Sequence, residues 1–113
     1  MSYLIEIKDN KATFTVTVPA EKVTEGMKDA AEHLAEHSDI PGFRPGKATY
    51  DVLKQRLGEM KILEEALEGL IRSGFISAMI EEDLDTIGQP YFNVVKMAPN
   101  NELVFTAEIA LHP

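Results

Sequence analysis

Arg44 and Lys47 stand three residues apart in the stretch Pro41-Gly42-Phe43-Arg44-Pro45-Gly46-Lys47-Ala48-Thr49-Tyr50, with Phe43 directly before the arginine. A guanidinium takes a carboxylate or phosphate through two parallel hydrogen bonds, and an ammonium supplies a point charge. Phe43 adds an apolar anchor. Gly adopts backbone angles closed to other residues and Pro fixes its own φ, so the stretch reads as a bent, stiff loop that loses little freedom on binding. The chemistry on offer is recognition of an anionic partner.

The charge map sharpens this reading. The chain carries 11 Lys+Arg against 19 Asp+Glu, a formal net charge of -8, and its pI is about 4.8. Residues 1–40 hold four lysines against eight acids, and residues 59–85 hold Lys61 and Arg72 against eight more. Only Pro41 to Arg56 is positive, with Arg44, Lys47, Lys54 and Arg56 against Asp51. A general nucleic-acid binder spreads basic residues over a face and has a high pI. A basic island on an acidic body suits docking at one point on an acidic partner, the remaining surface being repelled.

Other constellations carry less. His33 and His37 share one side of a helix at a spacing that chelates zinc. Leu34-Ala35-Glu36 separates them, so the pattern is not that of a metalloprotease, and Asp29, Glu32 and Glu36 cannot converge from the same helix. Solvated helix histidines are the better account, and no metal is expected. Glu64, Glu65, Glu68, Glu81, Glu82, Asp83 and Asp85 read as the wet face of a helix rather than as two carboxyls held apart in a cleft. Gly42 and Gly46 do not form a phosphate loop, and the chain has no cysteine. The expectation is a protein without catalytic residues or cofactor.

The elements that position the loop follow from periodicity. The chain's 113 residues make one domain. Tyr3, Ile5 and Ile7 alternate, Asp9-Asn10 offers a turn, and Ala12, Phe14, Val16 and Val18 alternate with Lys11 and three threonines, which predicts a hairpin with one buried face. Pro19 ends the strand. Val23, Met27, Ala30, Ala31 and Leu34 predict a helix from Ala20 to about His37. Thr49 is the expected N-cap of a short helix through Val52, Leu53 and Leu57, stopped by Gly58. A longer helix, roughly Met60 to Leu84, carries Ile62, Leu63, Ala66, Leu67, Leu70, Ile71, Phe75, Ile76, Met79 and Ile80, with Gly69 and Gly74 permitting either close packing or a bend. Tyr91 to Met97 and Leu103 to Leu111 read as strands around the turn Ala98-Pro99-Asn100-Asn101. The fold class is α+β: an antiparallel sheet from N- and C-terminal strands, helices on one face, and the loop between helices. No secretory signal and no apolar run long enough to span a membrane is present, so a cytoplasmic protein is expected.

The stretch resembles the ribosome-docking signature of trigger factor, the bacterial ribosome-associated chaperone family, whose Gly-Phe-Arg-x-Gly-Lys core is matched by Gly42, Phe43, Arg44, Gly46 and Lys47. The Pro-Ala start of the first helix, Val52-Leu53, Arg56 and Gly58, the turn Gly88-Gln89-Pro90 and the strand Phe105-Thr106-Ala107-Glu108 are similar too, so the resemblance covers essentially the whole chain. It implies the family's N-terminal ribosome-binding domain over residues 1–113, docked at the exit of the nascent-chain tunnel against a large-subunit protein and adjoining ribosomal RNA. Residues 42–47, including Pro45, would form the contact, with Phe43, Arg44 and Lys47 foremost. Unfolded nascent polypeptides would be the clients, without ATP. The family's isomerase and C-terminal substrate-cradling domains do not fit after Pro113, so no isomerase activity is expected. Two positions depart from the pattern: Thr49 stands where the family often has Pro, and Pro45 where some members place a basic residue, which implies weaker or more salt-sensitive docking. A docking-only module without chaperone activity and an acidic homodimer unrelated to ribosomes are the rival readings.

Overall fold

Asp9 and Asn10 take positive φ angles of 52° and 60° and turn β1 (Ser2–Lys8) back into β2 (Lys11–Val18). Asp and Asn tolerate this left-handed region, and a two-residue turn of this hand matches the twist of the flanking strands. We describe a computed structural model covering residues 1–37 and 49–113. Among these, the chain forms α1 (Ala20–His37), α2 (Tyr50–Leu57), α3 (Glu59–Glu82), β3 (Thr86–Lys96) and β4 (Leu103–Leu111). The four strands make one antiparallel sheet in the order β1-β2-β4-β3.

The expected α+β architecture is present, with the helices on one face. Ala12, Phe14, Val16 and Val18 on β2 and Leu103, Phe105, Ala107 and Ile109 on β4 are all buried beneath them. Their registers, Phe14↔Ala107 and Val16↔Phe105, pair large with small and large with medium side chains. Helix α3, 24 residues and about 36 Å long, crosses this face. Tilted and edge-on ring pairs run Tyr3–Phe14–Phe75–Phe92–Phe105, with centroids 5.3–6.2 Å apart, within the range where such pairs attract. Helix α1 then packs on α3, Gly26 against Leu70.

Pro19 opens α1 as expected, its carbonyl accepting from the N–H groups of Lys22 and Val23 at 3.0 and 3.1 Å. Other details differ from the sequence reading. Gly88-Gln89-Pro90 is not a turn: it lies within β3, which starts at Thr86. The ladder slips between Ile87 and Tyr91, and Gly88 at φ 79° absorbs the slip without reversing the chain. Helix α3 ends at Glu82, where Asp83 takes a left-handed φ of 49° and donates its N–H to the Met79 carbonyl. Ile76 and Ile80 point away from the core, while Gly74 and Ala78 face it. Ile7 is exposed because β1 has a neighbour on one side only. Leu34 is half-buried and Ala35 takes the buried place on α1.

Candidate functional site

The six residues of the docking signature, Gly42, Phe43, Arg44, Pro45, Gly46 and Lys47, lie outside the described residues, as do Pro41 and Ala48. What is described is the frame on either side. Before the segment, the last turns of α1 are held to α3: Ala31 and Ala35 are buried, and His33 Nε2 lies 3.7 Å from Glu65 Oε1. The His33 and His37 rings lie with centroids 4.5 Å apart, tilted by 52°. Both histidines are on the wet side of α1.

After the segment, Thr49 has the extended backbone of an N-cap, φ -78° and ψ 165°, and its hydroxyl accepts the Val52 N–H at 3.4 Å. The cap forms because a Thr side chain can satisfy a helix donor that has no partner within the helix. Leu53 pins α2 to the core with almost no exposed surface. Gly58 closes the helix at φ 88°, donating its N–H to the Lys54 carbonyl at 3.0 Å, and its own carbonyl starts α3 by accepting from Ile62. A single residue therefore ends one helix and opens the next, and the two ends flanking residues 38–48 are both seated on α3.

The basic island is smaller than the sequence suggests. Lys54 turns onto Glu59, its Nζ 2.9 Å from Oε1, and this bond, followed by the carboxylate's charge, raises the lysine's pKa. Glu59 also accepts from Asn100 Nδ2 at 3.3 Å, and Asn100 Oδ1 accepts the Thr24 hydroxyl at 3.0 Å. The β3–β4 turn thus ties the starts of α1 and α3 together. No sequence signal points to this tie, because Thr24 and Asn100 are 76 positions apart. Arg56 has no ion pair among the described residues. The island's charge outside the segment therefore rests mainly on Arg56.

Apolar surface remains open elsewhere. Met27, on the apolar stripe of α1, is fully buried core. Phe75 and Met79 are half-buried, whereas Leu4 and Ile80 are 76% and 75% exposed. Between α3 and β3 a cleft of about 360 Å³ is lined by Ile71, Phe75, Pro90 and Phe92, with Glu68 and Arg72 at its rim. Arg72 donates to Glu68 at 2.6 Å. Among the described residues no three side chains are grouped to hold a metal ion, and no helix is long and apolar enough to cross a membrane.

The described residues form an antiparallel sheet carrying three helices, and the glycine- and cation-bearing segment lies in sequence between the first two. A family model described as bacterial trigger factor protein matches residues 1–113. The chain belongs to the trigger factor family. It is 33% identical over 108 residues to trigger factor of Corynebacterium aurimucosum, covering 96% of this chain and 24% of that one. It is 31% identical over 104 residues to trigger factor of Macrococcus caseolyticus, covering 92% and 24%. The fold matches a solved structure described as "Promiscuous Substrate Recognition in Folding and Assembly Activities of the Trigger Factor Chaperone", with a TM-score of 0.79 at 22% identity, over 98% of this chain and 26% of that one. The chain thus spans about a quarter of the length of these relatives.

Proposed function

We propose that this chain is a single ribosome-docking domain of a chaperone. It binds at the nascent-chain tunnel exit in the cytoplasm and shields emerging unfolded polypeptides, without ATP, cofactor or catalytic residue. The observation that carries the reading is the match of Gly42, Phe43, Arg44, Gly46 and Lys47 to the family's docking core within the only net-positive stretch of the chain. Family membership over residues 1–113 supports the chaperone class.

In this reading Arg44 forms a two-pronged contact with a carboxylate or phosphate, Lys47 adds a second charge, and Phe43 fills an apolar socket on a ribosomal protein. Adjoining ribosomal RNA repels the carboxylates that dominate the remaining surface, so docking tolerates one orientation. Pairing of Lys54 with Glu59 leaves Arg44, Lys47 and Arg56 to meet the ribosome. The exposed apolar residues then lie near the emerging chain.

Two assays test the two halves. Co-sedimentation with bacterial ribosomes, comparing the chain with its Phe43→Ala/Arg44→Ala/Lys47→Ala variant, tests docking. Light scattering of a chemically unfolded client diluted into buffer with and without the chain tests shielding. Suppressed scattering supports a chaperone; undiminished scattering with intact ribosome binding would reduce the chain to a docking module.

A further inference from the structure

We propose that the free edge of β1 is a strand-pairing site for an extended, positively charged polypeptide segment with apolar side chains at alternate positions. This rests on the client-shielding half of the proposed function and names where, and for what kind of segment, that shielding acts.

The sheet has two edges, and they are built differently. On β3 the ladder is irregular between Ile87 and Tyr91 and again between Val94 and Lys96, and Pro90 has no N–H to offer. Bulges and prolines of this kind discourage a further strand. On β1 the register runs unbroken from Ser2↔Thr17 to Lys8↔Lys11, with neither Pro nor Gly in the strand. Its outward N–H and C=O groups have no strand partner among the described residues. A free, straight edge of this kind is what added strands use: main-chain bonds give affinity for many sequences, and alternating side chains select among them.

Burial shows the same incompleteness. Phe14 and Ala12 are fully buried, but their β1 neighbours Ile5 and Ile7 are half-buried and 55% exposed. Tyr3, opposite Val16, is half-buried too. A further strand would cover these three positions as β2 and β4 cover each other, and Leu4 would meet it on the other face. This decides the apolar alternation of the partner.

Charge decides the rest. Glu82 lies beside the inner face of β1, its Oε2 accepting the Tyr3 hydroxyl at 2.7 Å. Glu81 is next to it, and Glu6 lies on the strand itself; Lys8 ends the strand, and the three carboxylates outnumber it. These carboxylates favour a basic segment. They disfavour a second copy of this chain, which would bring the same carboxylates to the same edge on a body of net charge -8.

The test uses fluorescence anisotropy with a short labelled peptide of alternating valine and lysine. Two controls accompany it: the same peptide with glutamate for lysine, and one N-methylated along one edge. The Val/Lys peptide should bind, and both controls should fail. A Leu4→Lys/Ile7→Lys variant, changed only at exposed positions, should lose about tenfold in affinity through lost cross-strand contacts and added repulsion. Hydrogen exchange on the unmutated chain should show peptide-dependent protection within residues 2–8 and none in β3. Protection elsewhere, equal binding of the N-methylated peptide, or a concentration-dependent dimer lost in the Leu4→Lys/Ile7→Lys variant would overturn the strand-pairing site. No peptide binding with client scattering still suppressed would overturn it and leave the shielding reading standing. Loss of both would remove the shielding reading as well.

Discussion

Gly74 of α3 sits directly on Phe105 of β4: a Cβ placed on Gly74 would come within 3.2 Å of the ring's Cζ and equally close to Val16 Cγ1. Phe105 and Val16 are both buried and cannot swing aside. Gly69, five residues earlier, has nothing within 4 Å of its hypothetical Cβ. The two glycines should therefore respond oppositely to alanine. Gly69→Ala should stabilise by about 1 kcal/mol, the helix-propensity gain alone. Gly74→Ala gains the same but overpacks the core by about 1–3 kcal/mol, for a net loss. Urea midpoints for the two variants check the sign of each.

Phe14 contacts Tyr3 and Phe75 at ring centroid distances of 5.9 Å each and is fully buried. Phe14→Ala should cost about 3–5 kcal/mol. Whole domains are stable by about 5–15 kcal/mol, so the variant should be marginal or unfolded at 37 °C. Circular dichroism on heating measures this.

Tyr3 is the alkaline weak point. The hydrogen bond it donates to the Glu82 carboxylate, burial, and the charges of Glu81 and Glu82 push its pKa up to about 12. A folded value above the unfolded value of about 10 means that its contribution is fully present below pH 10. That contribution is lost as pH rises from 10 to 12. Lys54, also raised, adds to the loss in the same direction. Phenolate absorbance should show one tyrosine titrating near 12, absent in Tyr3→Phe and shifted down in Glu82→Gln. The urea midpoint of Tyr3→Phe should fall less steeply over this range.

Thr49→Ala removes the one side-chain bond to the first turn of α2 among the described residues. The bond is long, at 3.4 Å, and exposed, so the cost should be about 0.5–1 kcal/mol, at the lower end for N-caps. Thr49→Asp should restore it, adding a favourable charge at the helix N-terminus. Hydrogen exchange of the Val52 amide reads the cap directly.

The local signals in the sequence carried well. Period-two alternation marked β1, β2 and β4, and Pro19, Thr49 and Gly58 marked helix ends, because strand faces and caps depend on near neighbours. Gly88-Gln89-Pro90 misled because a left-handed glycine serves a bulge as readily as a turn, and only the neighbouring strand decides which. Gly69 and Gly74 look alike in sequence; the position of Phe105 separates them. Ile76 and Ile80 fit the helical pattern but lie off the packed face. The pairing of Lys54 with Glu59 is hidden in the sequence because it crosses from one helix to the next, and Lys54 counts there as part of the basic island. Residues 42–47, which lie outside the described residues, are legible only as a motif and a charge pattern.

Co-sedimentation with bacterial ribosomes across a salt series tests the central claim most directly. The unmodified chain should pellet with ribosomes at low salt, with log affinity falling against log salt at a slope of roughly -1 to -2 if Arg44 and Lys47 meet phosphates. The Phe43→Ala/Arg44→Ala/Lys47→Ala variant, with unchanged circular dichroism, should stay in the supernatant. Equal pelleting of the folded variant, or no pelleting of the unmodified chain at any salt concentration, would contradict docking through this segment.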